Sequence, residues 1–297
     1  MNGQFQFVLH AHLPFVRHPE NPYHLEENWL FEAITETYLP LLEVCDRLER
    51  DGVPGRFTLS LSAPLIAMLD DPLLRERFEA HMNRLIRLSE LECDRTASDP
   101  PFHRLARWYL DRFRHQLHVW NHVWRRDLTG AFATMHRLGR IDLITCVGTH
   151  GFLPLMRHVD SRRAQIRTAV EFFTERTGFA PHGIWLAECA FEPGVDRLLA
   201  ESRIQYTFVD SHALDTASCP PARGLWAPIV APDGTAFFAR DPESSRQVWS
   251  AHEGYPGDFS YREFYRDVGF DLPLDVVQPF IHPDGIRVHT GLKYYRI

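Results

Sequence analysis

The chain of 297 residues is long enough to bury one large α/β core or two ordinary ones, and its 44% apolar and 24% charged content excludes a disordered polymer. A formal charge of −7 with no long basic run argues against nucleic acid as the main partner. No apolar run approaches the ~18 residues of a membrane helix, and the single lysine, Lys293, among 32 basic residues is a bias that identifies no function.

Residues 1–7 show neither a basic segment nor a long apolar one, so no signal peptide is expected. Residues 5–9 alternate and then run apolar, as a strand does, ending in His10-Ala11-His12-Leu13-Pro14. Trp29, Ala33, Ile34, Tyr38, Leu41, Leu42 and Cys45 recur at helical spacing, and Asp51-Gly52 closes that helix. A second strand covers residues 57–62 and stops at Pro64. Strand, helix, strand is the mark of a parallel sheet with crossovers.

Residues 72–137 break the rhythm with two helical stripes, one through Leu74, Phe78, Met82 and Leu85, the other through Trp108, Tyr109, Phe113 and Trp120. Six of the 17 histidines fall here. No HExxH and no flanking carboxylate accompanies them, so we read them as exposed or hydrogen-bonded, and the segment as a helical insertion on a barrel rim. The sheet resumes over residues 141–147, followed by Gly148-Thr149-His150-Gly151. A helix through Ala164, Ile166, Val170 and Phe173 leads to Gly178, and the strand Ile184-Trp185-Leu186-Ala187 runs straight into Glu188. A helix over 193–202, a strand over 205–209 ending in Asp210-Ser211-His212, and strands over 226–230 and 235–239 ending in Arg240-Asp241 follow. The stretch from Gly254 is turn-rich, with one short helical patch around residues 261–266. Five cysteines (Cys45, Cys93, Cys146, Cys189, Cys219), never at CxxC spacing, suit a reducing cytoplasm.

Each expected strand is apolar along its length and turns polar at its carboxyl end: His10/His12, Ser60/Ser62, His150, Glu188, Asp210/His212, Arg240. In barrels of parallel strands that face holds the active site. Packing alone does not put ionisable groups at so many strand ends in register, so an enzyme is expected. Two chemistries fit. An HxH on the first strand with a later His and acidic groups could hold a divalent ion for metal-dependent hydrolysis. Alternatively, Glu188 serves glycoside cleavage, with the imidazoles bonding sugar hydroxyls and Trp185, Trp249 and Tyr255 offering flat faces to pyranoses.

The motifs Val8-Leu9-His10-Ala11-His12-Leu13-Pro14, Trp29-Leu30-Phe31-Glu32-Ala33, Thr149-His150-Gly151-Phe152-Leu153-Pro154, Gly183-Ile184-Trp185-Leu186-Ala187-Glu188-Cys189-Ala190-Phe191 and Val248-Trp249-Ser250-Ala251-His252 running into Gly254-Tyr255-Pro256-Gly257-Asp258 tip the balance. In this order they resemble glycoside hydrolase family 57 and, within it, the 1,4-α-glucan branching enzymes. The resemblance implies an α/β fold, an incomplete (β/α)7 TIM-like barrel of parallel strands, and a retaining mechanism that needs no metal or cofactor. It places the nucleophile on Glu188, substrate contacts on His10, His12, His150, Trp185, Asp210, His212 and Arg240, and an acceptor-site aromatic on Trp249. The implied partner is an α-1,4-glucan such as glycogen or an amylose-like chain, cut and rejoined through an α-1,6 link. An α-amylase or 4-α-glucanotransferase of the same family, and a non-catalytic glucan-binding protein, are the neighbouring readings.

One departure stands out. The family's acid/base Asp lies in a stretch resembling Tyr-Asp-Thr-Glu-Leu-Phe-Gly-His-Trp-Trp, which this sequence lacks. Asp210, Asp241 and Asp258 are conceivable substitutes, though all fall where the family has other roles. The expectation is therefore a truncated amino-terminal portion of such an enzyme over residues 1–297, without the last strand or the carboxyl-terminal helical domain, binding glucan weakly and catalysing little.

Overall fold

The computed structural model describes residues 5–219 and 221–297; residues 1–4, on which part of the signal-peptide expectation rests, lie outside the described residues. The first elements are β1 (Val8–Ala11), α1 (Glu27–Ala33), α2 (Leu39–Arg50), β2 (Phe57–Leu61), α3 (Ala63–Asp70), α4 (Pro72–Arg95), α5 (Pro100–His118) and α6 (Leu128–Arg137). There follow β3 (Ile141–Cys146), α7 (Val159–Thr177), β4 (Gly183–Trp185), α8 (Val195–Glu201), β5 (Tyr206–Val209) and α9 (Ser211–Asp215). The last are β6 (Ile229–Val230), β7 (Ala236–Ala239), α10 (Pro242–Trp249), α11 (Val268–Asp271) and α12 (Leu274–Val277). Packing gathers them into two compact units. One comprises Met1–Phe15, Val44–Asp70 and Leu128–Ser245; the other comprises Val16–Glu43, Asp71–Asp127 and Arg246–Ile297. The stretch read as one insertion over 72–137 thus divides, with α4 and α5 in the second unit and α6 in the first.

The first unit holds a seven-stranded sheet in the order β1-β2-β3-β4-β5-β7-β6, open at β1 and β6 among the described residues. Every neighbouring pair is parallel except β6 with β7. The α/β class expected from the strand–helix alternation, and the incomplete barrel implied by the family resemblance, are therefore the class observed, with one antiparallel edge. That edge is local in origin. Pro232-Asp233-Gly234 closes a tight turn in which Gly234 takes φ +91° and Ala231 N–H bonds Thr235 O at 2.9 Å, and such a turn can only return the chain antiparallel. β2 is buried at all five positions, as a central parallel strand covered on both faces must be. Ile166 of α7 and Val195, Leu198 and Leu199 of α8 pack on Cys146, Ile184 and Leu186 to form one core.

Five elements differ from the sequence reading; two are strands that come out shorter, β4 ending at Trp185 rather than Ala187 and β6 spanning Ile229–Val230 rather than 226–230. The first strand runs Val8–Ala11 rather than 5–9, which places His10 inside the ladder, opposite Ser60. The helix expected through residues 29–45 is broken by a wide turn at Ile34–Tyr38, where Leu39 N–H bonds Ile34 O five residues back. Pro40 follows at once, and widening the turn before it avoids the clash of its ring with the preceding turn. Residues 261–266 are not helical; α11 and α12 lie beyond them, and Asp267 caps α11 by accepting from Gly269 N at 2.9 Å. No helix among the described residues is long and apolar enough to cross a membrane.

β4 can pass β5 only because residue 183 lacks a side chain. A Cβ there would lie 2.4 Å from Cζ of Tyr206. The ring cannot swing away, because its hydroxyl donates to Asp142 Oδ2 at 2.5 Å. Gly183→Ala is expected to destabilise the protein by about 1–3 kcal/mol. Adding Tyr206→Leu should recover much of that loss in urea denaturation, so that the double variant costs clearly less than the sum of the singles.

Candidate active site

Eight of the expected site residues belong to the first unit: His10, His12, His150, Trp185, Glu188, Asp210, His212 and Arg240. The three imidazoles meet at the carboxyl ends of β1 and β3. His12 and His150 stack at 3.8 Å between ring centres, and Trp185 lies parallel to His10 at 4.7 Å. His10 Nε2 faces His150 Nε2 at 3.0 Å, while Nδ1 of His10 and of His12 face Ser60 Oγ and Ser62 Oγ at 3.1 and 2.9 Å.

These contacts fix who carries which proton. Ser60 donates its one hydroxyl hydrogen to Thr145 O at 3.2 Å, so His10 Nδ1–H donates to Ser60 Oγ. A neutral His10 then has a bare Nε2, which accepts from His150 Nε2–H, and His150 Nδ1 is left as an acceptor. Neutrality follows from burial and crowding. Burial, then the neighbouring His150 and His12, lower His10 to about 3; burial, then His150, lower His12 to about 4. Burial also lowers His150, with the charge of Glu188 partly offsetting it.

The sign of the linkage is set by these depressed values. Above the unfolded pKa near 6.5 both states are neutral and the stability is intact. As pH falls through the window from about 6.5 toward 4 and 3, the unfolded chain takes up protons that the folded His12 and His10 refuse, and stability is lost. Thermal melts of wild type and His10→Asn between pH 7 and 4 should show a steeper fall for wild type. Parallel curves would contradict the neutral cluster.

Glu188 lies three residues beyond the end of β4, in a 3-10 turn at Ala187–Cys189, and is exposed, with φ +55° and ψ +24°; Cys189 repeats the left-handed backbone at φ +54°. His150 shares it at φ +57°. Such a conformation costs an L side chain about 1–2 kcal/mol, and its concentration at strand ends aims side chains that a regular turn would point elsewhere. The charge of Glu188 reaches His150, Cys146 and Cys189, and that of Asp210 also reaches Cys189, so the two carboxylates flank one thiol. Burial pushes Cys146 up to about 12 and Cys189 up to about 11, which leaves neither thiol as a nucleophile near neutrality.

Arg240 stands 3.8 Å from Asp210, and its charge also reaches Cys189, where it opposes the effect of burial. Burial opposes it, but the Ser211 amide, Arg240 and His212 together hold Asp210 below the usual carboxylate range. Asp241 accepts from Ser244 N at 2.9 Å at the start of α10, and Asp258 accepts from Ser260 N at 2.8 Å in a turn. Trp249, at the end of α10, belongs to the second unit and is 66% exposed. Ligand atoms of His10, Cys146 and His150 lie within 4.8 Å of one another. A metal held there would require the thiolate that burial disfavours, and the set includes no carboxylate.

One supporting residue escaped the sequence reading. Gln165 of α7 binds the loop that carries His150, accepting from Thr149 N at 2.8 Å and from Gly148 N, through its backbone oxygen, at 2.9 Å. A Cβ at Gly148 would sit 3.0 Å from that oxygen, so the glycine permits the approach. Nothing local marks Gln165, a polar residue on a helix.

The sequence profile described as glycosyl hydrolase family 57 matches residues 6–267. The chain is 33% identical to the 1,4-alpha-glucan branching enzyme TK1436 of Thermococcus kodakarensis, over 90% of this chain and 42% of that protein. The structure of the alpha-amylase AmyC from Thermotoga maritima superimposes with a TM-score of 0.95 at 44% identity, covering 100% of this chain and 57% of that one. The GH57-type branching enzyme of Pyrococcus horikoshii does so with a TM-score of 0.81 at 32% identity, covering 90% of this chain and 52% of that one. The chain spans about half the length of the curated relatives it matches.

Proposed function

The chain belongs to glycosyl hydrolase family 57, and from that premise we propose that it acts on α-1,4-glucans by a retaining mechanism with Glu188 as nucleophile. The observation that carries this reading is a carboxylate in the turn just beyond β4, in left-handed backbone, beside neutral imidazoles and next to thiols held in their protonated form. Glu188 attacks the anomeric carbon and the bond from that carbon to the O4 oxygen breaks. The departing oxygen takes a proton from an acid, leaving the sugar as an ester of Glu188. A hydroxyl then attacks the same carbon, loses its proton to the conjugate base of that acid, and releases the carboxylate. His10, His12 and His150 are neutral donors and acceptors for sugar hydroxyls, and Trp185 offers a ring face. Asp210, His212 and Arg240 line the same mouth, and Trp249 serves the acceptor.

The acid/base partner should lie roughly 5–5.5 Å from the nucleophile, and we assign it to no residue of the described chain. Asp210 is a poor acid because Arg240 and His212 favour its charged form. Asp241 and Asp258 are engaged by backbone amides.

The attacking hydroxyl decides the product. We propose a 6-hydroxyl, and therefore branching in glycogen synthesis, on the strength of the relatives named branching enzymes and the Trp249 and Gly254-Tyr255-Pro256-Gly257-Asp258 run. Water as acceptor, giving α-amylase activity, is favoured by the 44% identity to AmyC. Incubation with amylose separates the two. Branching raises α-1,6 anomeric proton signals while reducing ends stay constant, and hydrolysis raises reducing ends alone. Neither change, with glucan affinity retained, would point to a binding protein. Five free thiols, among them the buried Cys45, Cys146 and Cys189, support a reducing cytoplasmic setting.

A further inference from the structure

The second unit contains a cavity of about 190 Å³ that the proposed reaction does not use. At ~30 Å³ per water it would hold about six, which is room for a sugar ring with a charged substituent rather than for a lone ion. One wall is a single face of α4, where Arg77, His81 and Arg84 recur at helical spacing. Residues 22–31 and 280–290 close the rest, bringing Tyr23, Phe280, His282 and His289.

The charges on that wall do not balance. Glu27 is the only carboxylate lining the cavity, and it is 2% exposed and paired with Arg77. Arg77 also donates to His18 O at 3.1 Å and Asn21 O at 2.8 Å, so its charge is already paired and its guanidinium holds the chain at 18–27. Arg84 has no hydrogen bond or ion pair among the described residues, although burial disfavours its charge. A half-buried guanidinium without a counter-charge costs stability that an anion would return. The imidazoles around it add N–H donors, and Tyr23 and Phe280 add ring faces.

We propose that this cavity binds a phosphorylated monosaccharide, with the phosphate on Arg84 and the ring against Tyr23 and Phe280. Guanidinium and imidazole donors lining one cavity match the several acceptor oxygens of a phosphate. The assignment is independent of Glu188.

The test is calorimetric titration and thermal melting of the full chain with glucose 6-phosphate, inorganic phosphate and glucose. Glucose 6-phosphate should bind saturably and raise the melting temperature, and glucose should not. Arg84→Gln should weaken that binding at least tenfold, while the free variant melts no lower than wild type because it has lost a half-buried charge with no ion-pair partner. Weaker binding of inorganic phosphate supports the sugar phosphate. Equal binding overturns the ring contact and leaves an oxyanion site. Absence of binding by both phosphates at 10 mM concentrations (roughly the limit at which a weak specific site still registers), or binding that Arg84→Gln leaves unchanged, overturns the site. Glu188→Gln should leave this binding intact, which separates its fate from that of the proposed reaction.

Discussion

Glu188→Gln should lower the rate at which an α-glucosyl fluoride glycosylates the protein by at least about a thousand-fold, since removing a covalent nucleophile costs that much or more. Fluoride is the right leaving group for this experiment. It departs without a proton, so the first step needs the nucleophile and not the unassigned acid. A 2-deoxy-2-fluoro donor slows the second step and leaves the ester in place for mass spectrometry. The expected adduct lies on the peptide containing Glu188 and is absent from the Gln variant. Labelling of the variant at the wild-type rate, or an adduct on another residue, would remove the basis for the proposed reaction. His10→Ala should weaken labelling less, because it removes one hydroxyl contact and its partner His150 can turn to water.

Asp267→Ala should lower stability by about 3–5 kcal/mol, the range for stranding the partners of a buried charge. Asp267 is wholly buried and accepts from Gly269 N, Thr290 N, Thr290 Oγ1 and Gly291 N, at 2.9, 2.8, 2.8 and 3.0 Å, with Lys293 Nζ 3.8 Å away. One carboxylate therefore ties the start of α11 to residues 290–293, and its loss orphans three buried donors and a fourth, Gly291 N, that is half-buried. At about 2–4 °C per kcal/mol the melting temperature should fall on the order of 10 °C. Asp267→Asn should be intermediate, because the amide keeps one acceptor but turns its NH2 toward another donor. A melt within a degree or two of wild type would show that the network is not what holds this region.

The turn-rich look of residues 254–297 explains why Asp267 was invisible beforehand. Nothing in the local pattern around it is periodic, and its partners at Thr290 and Gly291 lie 23 and 24 residues away. In the segment 261–266, expected as a helical patch, Tyr261, Phe264 and Tyr265 are exposed and the backbone is bent rather than helical. By contrast, β2, β3, β4 and β5 were legible because each is a short apolar run with a polar residue at its end, and a parallel strand buried on both faces must be written that way.

Burial and charge are recorded residue by residue, so the sheet-and-helix class and the ionisable residues beyond the strand ends, Glu188 among them, could be read from the chain alone. Only the tertiary structure decided that His10 and His150, 140 residues apart, share one proton, that Gln165 holds the His150 loop, and that Arg84 faces a cavity without a partner. A chain writes down which groups it buries, but the identity of the atom opposite exists only once distant segments have packed together.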